Sequence, residues 1–247
     1  MLFVLFPLAA FFIASIPFGL LLGKVLKGID IRDHGSGNIG ATNVFRVLGK
    51  GPGIGCLVLD ALKGYLPVLL AINILALEGR PIVPELSFLA SMRQTFSIDQ
   101  QLLIQTIHVL TALAAILGHN YSPWLGFKGG KGVATSAGVL LALMPFAVII
   151  LILIFVLITA VSRYVSLGSI LTSAALPFLT LWGSWHHGRI QDGTWNKPLF
   201  VFAVVIAVLV VWKHRSNIAR LRAGTENKFG AKKKSLEAND TPSSLRK

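Results

Sequence analysis

Three polar stretches of this 247-residue chain combine residue types suited to holding phosphate. The first runs Gly35-Ser-Gly-Asn-Ile-Gly-Ala-Thr-Asn-Val-Phe-Arg46. Glycine lets backbone N–H groups approach an oxyanion closely, so Gly37 and Gly40 fit an anion cradle to which Ser36, Asn38, Thr42 and Asn43 add neutral donors. The planar guanidinium of Arg46 can grip two phosphate oxygens at once. Gly35, Gly37 and Gly40 also satisfy G-x-G-x-x-G, but a dinucleotide site requires a preceding strand in a βαβ unit, and an apolar helical run precedes them here.

The second stretch runs from Gly118-His-Asn-Tyr to Lys128-Gly-Gly-Lys-Gly-Val-Ala-Thr135. It lacks G-x-x-x-x-G-K-[ST] and is no Walker loop. Its Gly129, Gly130 and Gly132 still give a backbone able to fold round a phosphate, with Lys128 and Lys131 supplying charge and Thr135 closing the stretch. In the third, His214 to Glu226, the residues His214, Asn217 and Arg220 recur at i, i+3 and i+6 and share a helical face. Arg215 adds a cation, and Glu226 can orient the cations or accept from a substrate hydroxyl.

Outside these stretches, Asp60 and Lys63 lie three apart in an apolar run where isolated charges cost several kcal/mol, so they are expected to pair with each other or with the polar loops. Cys56 and His108, alone among apolar neighbours, are expected to be packing residues. His187-Gly-Arg-Ile-Gln-Asp192 fits H-x-x-x-x-D, the signature of glycerolipid acyltransferases that use acyl thioesters. It falls in a loop predicted to lie across the membrane from every phosphate-binding candidate.

The chain is 54% hydrophobic and 13% charged with mean hydropathy +0.72, which excludes an ordinary soluble domain. The net charge of +13 is no nucleic-acid signature, because ten of the 23 Lys and Arg lie from Lys213 onward, behind the last apolar run. Apolar runs cover 2–22, 53–77, 102–118, 133–161, 165–182 and 198–212. Leu2 to Gly23 reads as one uncleaved span, since no Lys or Arg precedes it. Segment 24–50 and the tail carry most of the positive charge and belong in the cytoplasm. An even number of crossings must then lie between 119–132 and the tail, yet three runs remain. The run 133–161 resolves this: as one helix it would be about 43 Å long, and Pro145 breaks it into a hairpin. The expectation is an all-α, polytopic membrane protein of about seven helices, amino terminus outside and carboxyl terminus cytoplasmic, with 1–230 as a single domain and 231–247 as a basic, disordered tail.

Taken together, the three stretches resemble the signature motifs of the bacterial acyl-phosphate:glycerol-3-phosphate acyltransferase family, PlsY, in order and membrane background from about residue 3 to 228. Asp60, Lys63-Gly64 and Arg163-Tyr-Val-Ser166 fit lesser family positions. The loops 78–101 and 183–197 look longer than the pattern. The resemblance implies transfer of a fatty acyl group from acyl phosphate to glycerol 3-phosphate in phospholipid synthesis, at the cytoplasmic face of the bacterial inner membrane, with no cofactor or metal. It implies coupling to the enzyme that makes acyl phosphate, and leaves the oligomeric state open. Ser36, Arg46, Lys128, His214 and Asn217 become the catalytic candidates and the other phosphate-loop residues, with Ser166, the binding ones. The substrate phosphate is expected to take the hydroxyl proton, with His214 its competitor. A transporter for phosphate or organophosphate is the alternative, but it should carry ionisable residues near the midplane of several spans.

Overall fold

The computed structural model describes residues 1–230; the expected tail, 231–247, lies outside the described residues. The fold is a bundle of helices: α1 (Leu2–Ala14), α2 (Phe18–Lys27), α3 (Ala41–Leu48), α4 (Lys50–Ile74), α5 (Gln101–Asn120), α6 (Val133–Leu143), α7 (Pro145–Ser162), α8 (Val165–His186), α9 (Lys197–Lys213) and α10 (Arg215–Arg222). The break expected at Pro145 is present, with Met144 between α6 and α7 and the proline in the first turn of α7, where its missing N–H costs nothing. Five stretches, 2–27, 50–74, 98–125, 145–162 and 165–186, are long and apolar enough to cross a membrane, and α9 with α10, bent by 56°, makes a sixth. The remaining apolar helix, α6, has 11 residues and rises only about 16 Å, roughly half a hydrocarbon core.

One expectation is corrected. The run Leu2 to Gly23 is not one helix, for the chain breaks at Ser15-Ile16-Pro17 and restarts as α2. Backbone groups freed by such a break in hydrocarbon need protein partners. Lys63 Nζ donates to the Ile16 carbonyl at 2.7 Å, and Ser122 Oγ donates to the Ser15 carbonyl at 2.7 Å. Trp124 Nε1 donates to Ser15 Oγ at 2.9 Å. The fold is predominantly helical, as expected, with one short strand pair: β1 (Leu75–Leu77) lies parallel to β2 (Gln94–Phe96), Leu75 opposite Gln94. Between them, buried Asn73 fixes the long loop by donating to the Pro84 carbonyl and accepting from the Leu86 N–H.

The core, including Ala10, Val68, Ala112, Val139, Leu176 and Phe202, lies where α1, α4, α5, α6, α8 and α9 meet. In lipid, helices associate by close backbone approach rather than by apolar burial. A Cβ on Gly138 of α6 would stand 1.9 Å from the Ala61 carbonyl oxygen of α4, and one on Gly64 of α4 would stand 2.4 Å from that of Thr135. By contrast, α7 buries only Val148 and Leu151 and turns Ile149, Leu153 and Val156 outward. Gly138→Val is therefore expected to push α4 from α6 and lower Tm in detergent by about 2–12 °C, from an overpacking cost of about 1–3 kcal/mol. Gly55→Ala, where a Cβ meets nothing within 4 Å, should leave Tm within about 2 °C. Equal thermal shifts for the two variants would contradict this packing.

Candidate active site

The three polar stretches meet in one cavity of about 160 Å³ at one end of the bundle. Helix starts surround it. Ala41 and Thr42 open α3, Val133 and Ala134 open α6, and Val165 and Ser166 open α8, and all six line the cavity. Each helix start leaves backbone N–H groups without intrahelical partners and carries the positive end of the helix dipole. Three cations, Arg46, Lys131 and Arg220, line the same space.

Asn43 builds the first stretch. Its buried side chain donates from Nδ2 to the carbonyls of Ile31 (3.1 Å), His34 (3.0 Å) and Asn38 (2.8 Å) and accepts from the Ser36 N–H at 2.8 Å. Asn38 Oδ1 in turn accepts from the Gly40 N–H at 2.9 Å. The loop is thereby folded before any ligand arrives, leaving the Ser36 and Thr42 hydroxyls on its cavity side.

The glycines of the second stretch clear space for α5. A Cβ on Gly130 would lie 2.1 Å from His119 Nε2, and one on Gly129 would lie 2.0 Å from the His119 carbonyl oxygen. Gly129 and Gly130 donate from their N–H groups to the carbonyls of Asn120 and His119. This packing fixes Lys131, which donates to Asn217 Oδ1. Burial lowers the Lys131 amine to about 8; Glu226 opposes the shift, while Arg220 and Arg46 add to it.

Glu226 ties the third stretch together. It accepts from Ser166 Oγ (2.8 Å), Asn217 Nδ2 (2.6 Å) and Arg220 Nε (2.6 Å). Burial would raise its carboxyl, but these hydrogen bonds outweigh it and hold the group below its ordinary value. His214 Nδ1 lies 2.8 Å from the Val210 carbonyl. A carbonyl only accepts, so Nδ1 carries the proton and the neutral ring keeps Nε2 as a base. Deeper in, Asp60 and Lys63 form the expected pair at 2.8 Å, with His119 Nδ1 3.7 Å from the same carboxylate oxygen.

Of the residues singled out in the sequence, Ser36, Asn38, Gly40, Thr42, Asn43, Arg46, Lys131, Gly132, Ser166, His214, Asn217, Arg220, Glu226 and Asp60 line the cavity. Gly37, Gly129, Gly130, Thr135, Lys63, Lys128 and Arg215 do not. Lys128 is exposed on its loop, and Arg215 lies exposed over the Trp212 ring at 4.7 Å. Asn43 lines the cavity, but its side chain is spent on the loop rather than free to bind phosphate. The sequence reading missed His119, Ser169 and Asn227, as well as Phe155 and Phe229, which add apolar wall. Only the position of His119 within the second stretch hinted at a role. His187 and Asp192 sit beyond the far end of α8, and Thr194 hydrogen-bonds the Asp192 carboxylate. Cys56 is buried, and His108 Nε2 donates to the Leu75 carbonyl at 2.9 Å, as expected of packing residues.

Known proteins are similar to this chain in sequence and fold. The profile of the family described as glycerol-3-phosphate acyltransferase matches residues 4–224. The glycerol-3-phosphate acyltransferase of Desulforamulus reducens is 44% identical over 93% of this chain and 96% of its own length, and that of Fusobacterium nucleatum 40% over 93% and 99%. Two crystal structures of PlsY, an integral membrane glycerol 3-phosphate acyltransferase, superpose with TM-scores of 0.73 (glycerol 3-phosphate form) and 0.71 (lysophosphatidic acid form). Both are 36% identical to this chain and cover 93% of it and 96% of the solved chain. The chain belongs to the glycerol-3-phosphate acyltransferase family and is an integral membrane acyltransferase of phospholipid synthesis.

Proposed function

We propose that the acyl donor is an acyl phosphate and that its acyl group goes to the 1-hydroxyl of glycerol 3-phosphate. The observation that carries this reading is the convergence of three helix starts and three cations on one cavity. Each substrate brings a phosphate of about −1.5 to −2 charge, and two such groups repel unless positive potential is already assembled. The hydroxyl oxygen attacks the acyl carbonyl carbon, the bond from that carbon to the phosphate oxygen breaks, and inorganic phosphate leaves with the bonding pair. The hydroxyl proton passes to a phosphate oxygen, whose second pKa near 6 makes it a base at neutral pH. His214 Nε2 is the competing acceptor.

Catalysis on this reading is positioning and charge neutralisation. Arg46, Lys131 and Arg220 hold the phosphates, with the N–H groups of Thr42, Gly132 and Ser166 and the hydroxyls of Ser36 and Thr42, while Gly40 shapes the start of α3. Asn217 and Glu226 orient Lys131 and Arg220. Gly37, Gly129, Gly130 and Thr135 shape the two loops, and Asp60 with Lys63 supports them from within. Lys128 and Arg215, exposed on flexible stems, swing toward a bound anion from the rim. The acyl chain lies along Phe155 between helices.

We further infer seven crossings, with α6 as a short one in a hairpin with α7, the amino terminus outside and the cavity on the cytoplasmic side of a bacterial inner membrane. Support comes from the positive charge of 24–50 and of the chain after Lys213. A reactive donor made at the same membrane favours coupling to the enzyme that supplies it.

The donor test uses detergent-purified protein with glycerol 3-phosphate and palmitoyl phosphate, palmitoyl-CoA or an acyl carrier protein thioester in parallel. Lysophosphatidate and released phosphate are expected with palmitoyl phosphate alone. Turnover with either thioester would overturn the donor assignment and return attention to His187 and Asp192. Arg46→Ala and Lys131→Ala are each expected to cut kcat/KM at least about 100-fold, and Lys128→Ala at least about tenfold, in protein that still inserts. Near-full turnover by the first two would remove the charge clamp, and by the third would remove Lys128 from the site. Lys131 is charged below about 8 and neutral above it, so activity is expected to fall as pH rises through about 8. Lys131→Arg should shift that limb upward, and an unchanged alkaline limb would detach it from Lys131.

A further inference from the structure

A second, larger cavity of about 560 Å³ opens at the opposite end of the bundle, where the two long loops meet the ends of α6 and α8 and the starts of α5, α7 and α9. Its wall is apolar along Val109, Leu143, Phe146, Ile150, Leu179 and Leu199. Among the described residues its only formally charged wall residues are Arg80 and Arg189, and no Asp or Glu lines it.

Arg80 is held in place. Its Nη2 donates to Gln101 Oε1 at 3.1 Å and to the Thr194 carbonyl at 3.3 Å, and Gln101 Nε2 donates to the same carbonyl at 3.1 Å. These contacts join loop 78–101 to loop 183–197 and leave the guanidinium charge uncompensated. Among the described residues neither arginine has a carboxylate within 4.0 Å. Asp192 stands within electrostatic reach of both, but Thr194 holds its Oδ1 through the backbone N–H and Oγ1. Exposed Trp182, on the wall and stacked on His186, and exposed Trp185 mark this end as a membrane interface.

Two guanidinium groups, that of Arg80 held in place, above an apolar cavity at headgroup level match an amphiphile with an anionic phosphodiester head. We propose that this cavity binds an anionic phospholipid of the adjoining leaflet, taking one acyl chain between α6, α7 and α8 and its phosphate against Arg80 and Arg189. The volume, within the roughly 300–1,000 Å³ of ligand pockets, suits one chain and leaves the second in the bilayer. The site is separate from the phosphate cavity and rests only on the chain being an integral membrane protein.

The test is titration of delipidated, detergent-purified protein with phosphatidylglycerol or phosphatidylcholine, with bound lipid counted by native mass spectrometry. Phosphatidylglycerol is expected to bind as one copy, at least about fivefold more tightly than phosphatidylcholine, since each interfacial arginine is worth about fivefold. Arg80→Gln with Arg189→Gln should erase that preference, and Ala147→Trp, which fills the cavity and leaves both charges, should weaken binding of phosphatidylglycerol at least fivefold. Turnover on glycerol 3-phosphate should stay unchanged in all variants and reports their folding. Equal binding of the two lipids by the unaltered protein would overturn the proposal whatever the variants do. So would a retained preference in the folded double variant, or displacement of phosphatidylglycerol by equimolar oleate.

Discussion

Unpaired N–H groups at helix starts are a liability in hydrocarbon, because nothing in lipid can accept from them. This fold gathers such groups by bringing the starts of α3, α6 and α8 to one cavity. The positive potential made there needs no ionisable group at the bilayer midplane, and it points at the centre that an anion would occupy. Arg46, Lys131 and Arg220 add charge to it. Glu226 keeps two of these cations in position without filling the cavity, since its oxygens are taken by Ser166, Asn217 and Arg220.

Bringing helix starts together requires broken helices, and each break must be repaired. The interruption at Ser15-Ile16-Pro17 separates α2 from α1, and α2 leads into the loop that Asn43 folds. Its carbonyls are met by Lys63 and Ser122, and Lys63 in turn is neutralised by Asp60. Losing one member of such a buried pair leaves the other unpaired, which costs more than the pair itself contributes. The Asp60–Lys63 pair therefore links the first break to the cavity wall, where Asp60 and His119 lie side by side.

Some of this was legible in the chain. Pro145 inside an overlong apolar run revealed the break between α6 and α7, because proline does not continue a helix. The break at Pro17 escaped because every neighbour is apolar and the run has the length of one ordinary span. The β1–β2 pairing escaped because three-residue strands leave almost no periodic signal. At the site, glycines read as oxyanion donors proved in part to be clearance: Gly129 and Gly130 exist so that the loop can lie on His119. Asn43 looked like a phosphate donor and is an internal clamp instead. Lys128 and Lys131 look equivalent on paper, yet only Lys131 reaches the cavity wall, a distinction set by how four glycines turn the backbone between α5 and α6. His119 was hidden for a tertiary reason, since its partner Asp60 lies on another helix.

The central claim is that one cavity, walled by the starts of α3, α6 and α8, receives the phosphate of glycerol 3-phosphate. A crystal structure with glycerol 3-phosphate bound tests it most directly. The account predicts that phosphate within hydrogen-bonding distance of at least one of Arg46, Lys131 and Arg220 and of a backbone N–H from one of these helix starts. Glycerol 3-phosphate bound instead at the far end, against Arg80 and Arg189, would contradict it.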